Sequence, residues 1–207
     1  MNKVKSVNVM LGGQKPSKLD KDKIWIGVDS GADFLFEKGV NPEYILGDLD
    51  SVDIDNLSTS QVIKKNNQDL TDTEFALDWI VENFLELETI NLYGATGLRL
   101  DHFFANILLL SKASYKKLKI NIIDDNNIIF LSKIGMTLLE KIESYKYISF
   151  VPIKDNTRIT IDGAKYSVDN MYLSIDRANA TSNEFVNEEI SITTNNQCLV
   201  IYSKDDK

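Results

Sequence analysis

The sequence predicts an α/β protein: a layered, mostly parallel α/β domain over 1–124, followed by an antiparallel β-sandwich over 125–207. Three observations carry that expectation. In the first part, short β-branched apolar runs alternate with helical patterns, the grammar of a parallel sheet. After Asp124-Asp125-Asn126-Asn127 the runs follow one another closely, with polar, Gly or Asn turns and no long helical pattern between them. The composition, 43% hydrophobic and 26% charged in 207 residues, is globular and sufficient for one large domain or two small ones.

The predicted strands of the first part are 4–11, 24–28, 44–46, 62–63, 90–93 and 120–123. A helical pattern over 32–38 is stopped by Gly39 and the turn Asn41-Pro42. A stronger one, 71–87, aligns Ala76, Ile80, Phe84 and Leu87 in one stripe and Glu74, Asp78 and Glu82 on another face. A third, from about 101 to 117, stacks Phe103, Ile107 and Leu110, and Phe104 with Leu108, at helical spacing. The second part predicts strands at 128–131, 136–139, 147–151, 159–161, 172–175, 190–193 and 199–202. Alternation is clear in Arg158-Ile159-Thr160-Ile161 and Glu189-Ile190-Ser191-Ile192-Thr193. Roughly 80 residues make a marginal core, so this part is expected to pack on a partner surface, in the same chain or in a second one.

Lys+Arg 23 against Asp+Glu 31 gives a net charge of −8. Without a basic stripe, nucleic-acid binding is not expected. A nucleotide ligand remains open, because bound metal ions can supply the positive charge. Cys198 is the only cysteine and His102 the only histidine, which excludes intramolecular disulfides, cysteine zinc sites and multi-histidine metal sites. Nothing at the start resembles a signal peptide, and no apolar stretch approaches the roughly 20 residues that span a bilayer. The expectation is a soluble cytoplasmic protein with no membrane partner.

Neither a P-loop nor a dinucleotide fingerprint is present. Four other segments carry the chemistry, each just after a predicted strand and near a helix start. Asp29-Ser30-Gly31-Ala32 offers a close backbone approach and helix-start N–H groups to a phosphate, or merely a helix cap. Gly47-Asp48-Leu49-Asp50-Ser51 puts two carboxylates on one side of an extended segment. They repel unless a cation or a proton lies between them, and a hard divalent cation such as Mg²⁺ carrying a phosphorylated substrate is the economical partner. In Gln68-Asp69-Leu70-Thr71-Asp72-Thr73-Glu74, Thr71 and Glu74 read as a capping box, which leaves Asp72 as a carboxylate for a site shared with Asp48 and Asp50. Gly94-Ala95-Thr96-Gly97-Leu98-Arg99-Leu100-Asp101-His102 suits a phosphate-binding turn, with Arg99 able to fork onto phosphate oxygens. There Asp101 reads equally as an N-cap, and His102 as a group that orients its neighbours. In a parallel sheet such junctions share one edge, where ligands bind.

In order and spacing these four segments resemble the thiamine pyrophosphokinase family, and Gly163-Ala164-Lys165-Tyr166 and Ser182-Asn183-Glu184 match in the second half. The resemblance covers nearly the whole chain. It implies a homodimer with active sites at the subunit interface, and transfer of pyrophosphate from ATP to the hydroxyl of thiamine, leaving AMP. It implies Mg²⁺ on Asp48, Asp50 and Asp72, with Arg99 and Asp101 beside them in catalysis. The nucleotide would meet Asp29, Ser30, Gly31, Gln68, Asp69, Thr71, Arg99 and His102, and thiamine would meet Ser182, Asn183 and Phe185. Either Asp101 or Asp69 would accept the hydroxyl proton. Two departures stand out: Leu98 replaces the second glycine usual before the arginine in bacterial members, which is expected to narrow the phosphate turn or shift substrate preference. Gln68 replaces a frequent lysine, removing one positive charge. The rival readings are a pyrophosphokinase for another alcohol such as a pterin, and a nucleotide or metal sensor without catalysis.

Overall fold

In the first half the strands Trp25–Val28 and Tyr44–Gly47 are buried along nearly their whole length, as parallel strands covered on both faces are, whereas the edge strand Gln61–Lys64 is largely exposed. The structure, a computed structural model, describes residues 4–48, 60–66, 68–177 and 179–205. The chain divides into two compact units, 1–125 and 126–207.

The first unit contains β1 (Ser6–Met10), β2 (Trp25–Val28), α1 (Ser30–Glu37), β3 (Tyr44–Gly47), β4 (Gln61–Lys64), α2 (Asp72–Asn83), β5 (Thr89–Tyr93), α3 (Leu100–Leu109) and β6 (Lys119–Ile123). A 3-10 turn covers Ala113–Tyr115. The strands lie in the order β6-β5-β1-β2-β3-β4, and every pairing among them is parallel. The chain therefore winds outward from β1 to β4, then returns to the other side of β1 for β5. The reversal between β1 and β5 is a topological switch point, where the carboxyl ends of the strands open a crevice. Val9, Ile26, Ile45, Leu46, Ile90 and Ile122 fill the sheet interior. Among them runs a buried amide ladder: Asn121 Nδ2 donates to Asn91 Oδ1 at 2.8 Å, and Asn91 Nδ2 to Asn8 Oδ1 at 2.9 Å. All three asparagines are in register across β6, β5 and β1.

Two helices end sooner than their periodicity predicts. α2 stops at Asn83, leaving Phe84 as its C-cap and Leu87 buried beyond it. α3 stops at Leu109, and the chain turns through Ala113–Tyr115. On α3 the row Leu100, Phe104 and Leu108 is exposed, at 67%, 62% and 71%. The apolar spacing there records a face that this unit leaves uncovered.

The second unit is antiparallel, as expected. β7 (Asn127–Leu131), β14 (Cys198–Ser203), β9 (Tyr147–Pro152) and β12 (Asn183–Glu184) lie side by side. β8 (Gly135–Glu140), β13 (Glu189–Thr194), β10 (Thr157–Asp162) and β11 (Val168–Leu173) form the facing sheet in the order β11-β10-β13-β8. Phe130, Ile148, Phe150, Val200 and Tyr202 from the first meet Leu139, Ile159, Ile161, Leu173, Ile190 and Ile192 from the second in one core. β12 has no counterpart in the sequence reading, because two residues carry no period. The predicted strand 172–175 is β11, which starts four residues earlier and ends two earlier, so that Ile175 is exposed outside it.

Candidate active site

The switch-point crevice is a pocket of about 440 Å³. One wall is the segment after β1, Leu11-Gly12-Gly13, and another the segment after β5, from Gly94 to Arg99. Backbone bonds hold the two together: Leu11 N donates to Tyr93 O, Gly13 N to Gly94 O and Gln14 N to Thr96 O, each at 2.8 Å. Asn106, buried on α3, donates its Nδ2 to Ala95 O at 3.0 Å and fixes the turn from beneath. Asp29 and Ser30 after β2, and Thr71, Asp72 and Thr73 at the start of α2, complete the acidic side.

Asp29 is the N-cap of α1, yet its side chain makes no capping bond. Its backbone sits at φ 46°, ψ −128°, a conformation that costs a non-glycine residue on the order of 1–3 kcal/mol. Its carboxylate rests on Gly47 of β3, where a Cβ would lie 1.8 Å from Asp29 Oδ1. That atom is buried and has no hydrogen-bond partner among the described residues. Burial first, then the charges of Asp72 and Asp48, push the Asp29 carboxyl up to about 7. A capping role is therefore replaced by membership of a carboxylate cluster, Asp29 with Asp48 and Asp72.

The remaining predicted residues divide. Thr71 caps α2, its Oγ1 accepting from Glu74 N at 3.1 Å. The Glu74 carboxylate accepts from Lys112 Nζ at 3.0 Å, and that ammonium also binds Asp78 at 2.8 Å. Arg99, Asp101 and His102 line the pocket mouth. There Arg99 Nη2 donates to Asp101 Oδ2 at 2.5 Å, with the two side chains 70% and 63% exposed. Asp101 lies in the first turn of α3 rather than at its cap, which is Arg99. Leu98 holds φ 51°, the left-handed conformation that glycine favours, with its side chain 81% exposed. The closeness at Gly31 is to β1, since a Cβ there would lie 2.1 Å from Met10 O. Gln68 and Asp69 are exposed on the turn before α2 and do not line the pocket. Asp50 lies outside the described residues.

In the second unit, Asn183 is buried and its amide is engaged with backbone. Its Nδ2 donates to Tyr166 O at 2.9 Å, and its Oδ1 accepts from Tyr166 N and Glu184 N, each at 3.0 Å. Phe185 stacks on Tyr202 at 5.8 Å between centroids. Ser182 is exposed at φ 57°, and its N–H donates to Ser149 Oγ at 2.9 Å.

Oxygen donors in this number suit a hard cation such as Mg²⁺. The unpartnered Asp29 Oδ1 marks where charge is missing, so the chemistry of the donor set fits. Among the described residues, however, no three acidic groups stand close enough to form a ready ligand set. Asp50 is outside them, and Asp72 is held by Lys65, whose Nζ is on its Oδ1. Sequence reasoning missed Lys65, Asn106 and Gly12-Gly13. The glycine pair was readable, because it too follows a predicted strand.

The decisive comparison is with family models. Residues 16–122 match the thiamin pyrophosphokinase catalytic domain, and 136–199 match the thiamin pyrophosphokinase vitamin B1 binding domain. The chain belongs to the thiamine pyrophosphokinase family. The thiamine pyrophosphokinase of Bacillus subtilis is 33% identical over 196 residues, covering 88% of this chain and 91% of that one. The crystal structure of thiamine pyrophosphokinase from Bacillus subtilis superposes with a TM-score of 0.87 at 30% identity, covering 98% of this chain and 100% of the other. That of thiamin pyrophosphokinase from Geobacillus thermodenitrificans gives 0.82 at 30% identity, covering 98% and 99%. The Candida albicans thiamin pyrophosphokinase, 20% identical with a TM-score of 0.82 and coverage of 97% and 89%, shares the fold.

Proposed function

We infer that this thiamine pyrophosphokinase transfers the pyrophosphoryl group of ATP to the hydroxyl of thiamine, giving thiamine diphosphate and AMP. The observation that carries the reading is the pairing of a glycine-lined turn with a carboxylate cluster across one switch-point pocket. Such a site positions a polyphosphate and balances its charge, which is most of what phosphoryl transfer requires. The match of 136–199 to the vitamin B1 binding domain supports thiamine over another alcohol such as a pterin.

Asp48, Asp50 and Asp72 would hold Mg²⁺, with Asp29 beside them; the bound ion supplies charge neutralisation for the ATP phosphates. Gly12, Gly13 and the turn from Gly94 to Leu98 line the same pocket, and their glycines let phosphate oxygens approach the backbone closely. Arg99 is positioned to follow charge on the transferred group. Its pair with Asp101 is exposed and weak, so phosphate can take the guanidinium from it. Ser30, Thr71 and His102 frame the nucleotide. Gly31 fixes α1 against β1, and Gln68 and Asp69, exposed outside the pocket on the turn before α2, would meet the nucleotide only where it extends beyond the pocket. Asp101 or Asp69 accepts the hydroxyl proton. Ser182 contacts thiamine, while Asn183 and Phe185 shape the loop that presents it.

The molecule acts as a homodimer with active sites at the subunit interface. The uncovered row on α3, and Met136 and Leu138 exposed on β8, support a second copy as the missing cover. A solution mass of one 23.4 kDa chain by sedimentation equilibrium would contradict it. ATP as co-substrate and a single buried cysteine suit the cytoplasm.

Asp72→Asn tests the site. Thiamine-dependent AMP release is expected to fall at least about 100-fold with an unchanged circular dichroism spectrum. Near-normal turnover would remove Asp72 from the reaction.

A further inference from the structure

Lys65 is the one charged side chain among the described residues that is fully buried, at 6% exposure. Burying an ammonium is unfavourable unless it is paired and hydrogen-bonded. Its position follows from the sheet: Lys65 N donates to Gly47 O at 2.8 Å, extending the β3–β4 pairing by one step. That step sets Lys65 beside the carboxyl end of β3, where Asp48 begins. From there Lys65 Nζ reaches Asp72 Oδ1 and also donates to Leu70 O at 3.3 Å. Its charge is felt at Asp29 as well, where it opposes the effect of Asp72 and Asp48. Gln68, exposed on the same turn, contributes no charge.

We propose that Lys65 is the resident counter-ion of the carboxylate cluster, holding Asp72 in the metal-free protein and competing with the divalent cation for it. The proposal rests on the metal-site reading above and deepens it. One ammonium cannot satisfy three carboxylates, since it leaves Asp29 Oδ1 unpartnered. A divalent cation carries twice the charge and accepts several oxygens at once. Binding of the cation therefore includes release of Asp72 from Lys65, and Lys65 sets how tightly the ion is held. Lys65 is thereby a positioning residue, acting through Asp72.

Mn²⁺ titration of the full-length protein, followed by electron paramagnetic resonance without nucleotide, separates the possibilities. Lys65→Gln keeps a hydrogen-bonding side chain and removes the charge. It is expected to bind Mn²⁺ about tenfold more tightly than the unsubstituted protein, and to melt at lower temperature in EDTA, with the gap closing as Mn²⁺ is added. Lys65→Arg keeps the charge and is expected to bind Mn²⁺ no more tightly than the unsubstituted protein. Equal affinity for Lys65→Gln and the unsubstituted protein would overturn the competition while leaving the metal site standing. Tighter binding by Lys65→Arg would also overturn it. Absence of Mn²⁺ binding in all three proteins would overturn both the competition and the metal-site reading.

Discussion

Asp29 carries two costs at one position, a strained backbone and a half-buried carboxylate facing two others. Local rules would not choose an aspartate there, and such conflicts collect at functional sites. The folded-state value of about 7 stands above the ordinary 3.8. The neutral carboxyl therefore favours folding fully below about pH 4, and this contribution is lost as pH rises through 7. In EDTA, Asp29→Asn is expected to raise the melting temperature at pH 8 by a few degrees, on the order of 1–2 kcal/mol after allowing for solvent screening. At pH 5 the gain should be smaller, while turnover with ATP and Mg²⁺ falls at either pH. Thermal melts at the two pH values check it, and a loss of stability at pH 8 would contradict the repulsion. Asp29, Asp48 and Asp72 were legible because each stands in a short motif at a strand or helix end. Lys65 was not: it follows the plain run Gln61-Val62-Ile63-Lys64, and only the β3 pairing takes it inside. Leu98 lies between these cases, since its replacement of a glycine was readable and its left-handed backbone explains why glycine suits the position.

Helices α2 and α3 bring Asp72 and Arg99 to one pocket from separate parts of the chain, and α2 is tied at Glu74 and Asp78 by a single ammonium, Lys112, to the segment just beyond α3. Burial pulls Lys112 down, but the hydrogen bonds it donates to Asp78 and Glu74 outweigh it and hold its pKa above the ordinary value. Tyr115 OH also donates to Asp78 Oδ1 at 2.7 Å. Lys112→Met leaves two carboxylates and a phenol without their cation, and is expected to cost about 2–3 kcal/mol. The KM for ATP should rise as the helix starts loosen. Lys5→Met, which breaks only the exposed pair with Glu88, should leave the stability nearly unchanged. Urea unfolding of the two variants compares them, and equal costs would contradict the clamp. Element identity was legible wherever a period was long enough, as for α2, whose Ala76 and Ile80 are buried as the stripe predicts. Element ends were less so. The capping box suggested that Glu74 would turn back on Thr71, whereas Lys112, 38 residues away in sequence, takes its carboxylate. The asparagine ladder was also invisible, because three separate asparagines acquire meaning only once β1, β5 and β6 are in register.

At the scale of the molecule, the change from alternating helices and strands to close-spaced strands was the clearest message of the sequence, and both architectures are present. It arises from chemistry that each half needs: a parallel sheet gathers loop ends at one edge, and an antiparallel sandwich builds a core from Phe150, Ile159 and Ile192 without helices. The strand order was not legible, and it decides the site. Only the return of β5 to the far side of β1 puts Gly12-Gly13 opposite Gly94 and opens the crevice. The products of the reaction test the assignment most directly. The full-length protein is to be incubated with ATP and Mg²⁺, with and without thiamine, and the nucleotide and vitamin products identified by mass. AMP and thiamine diphosphate are expected in equal amounts, formed only when thiamine is present. Formation of ADP with thiamine monophosphate, or of no thiamine product at all, would contradict it.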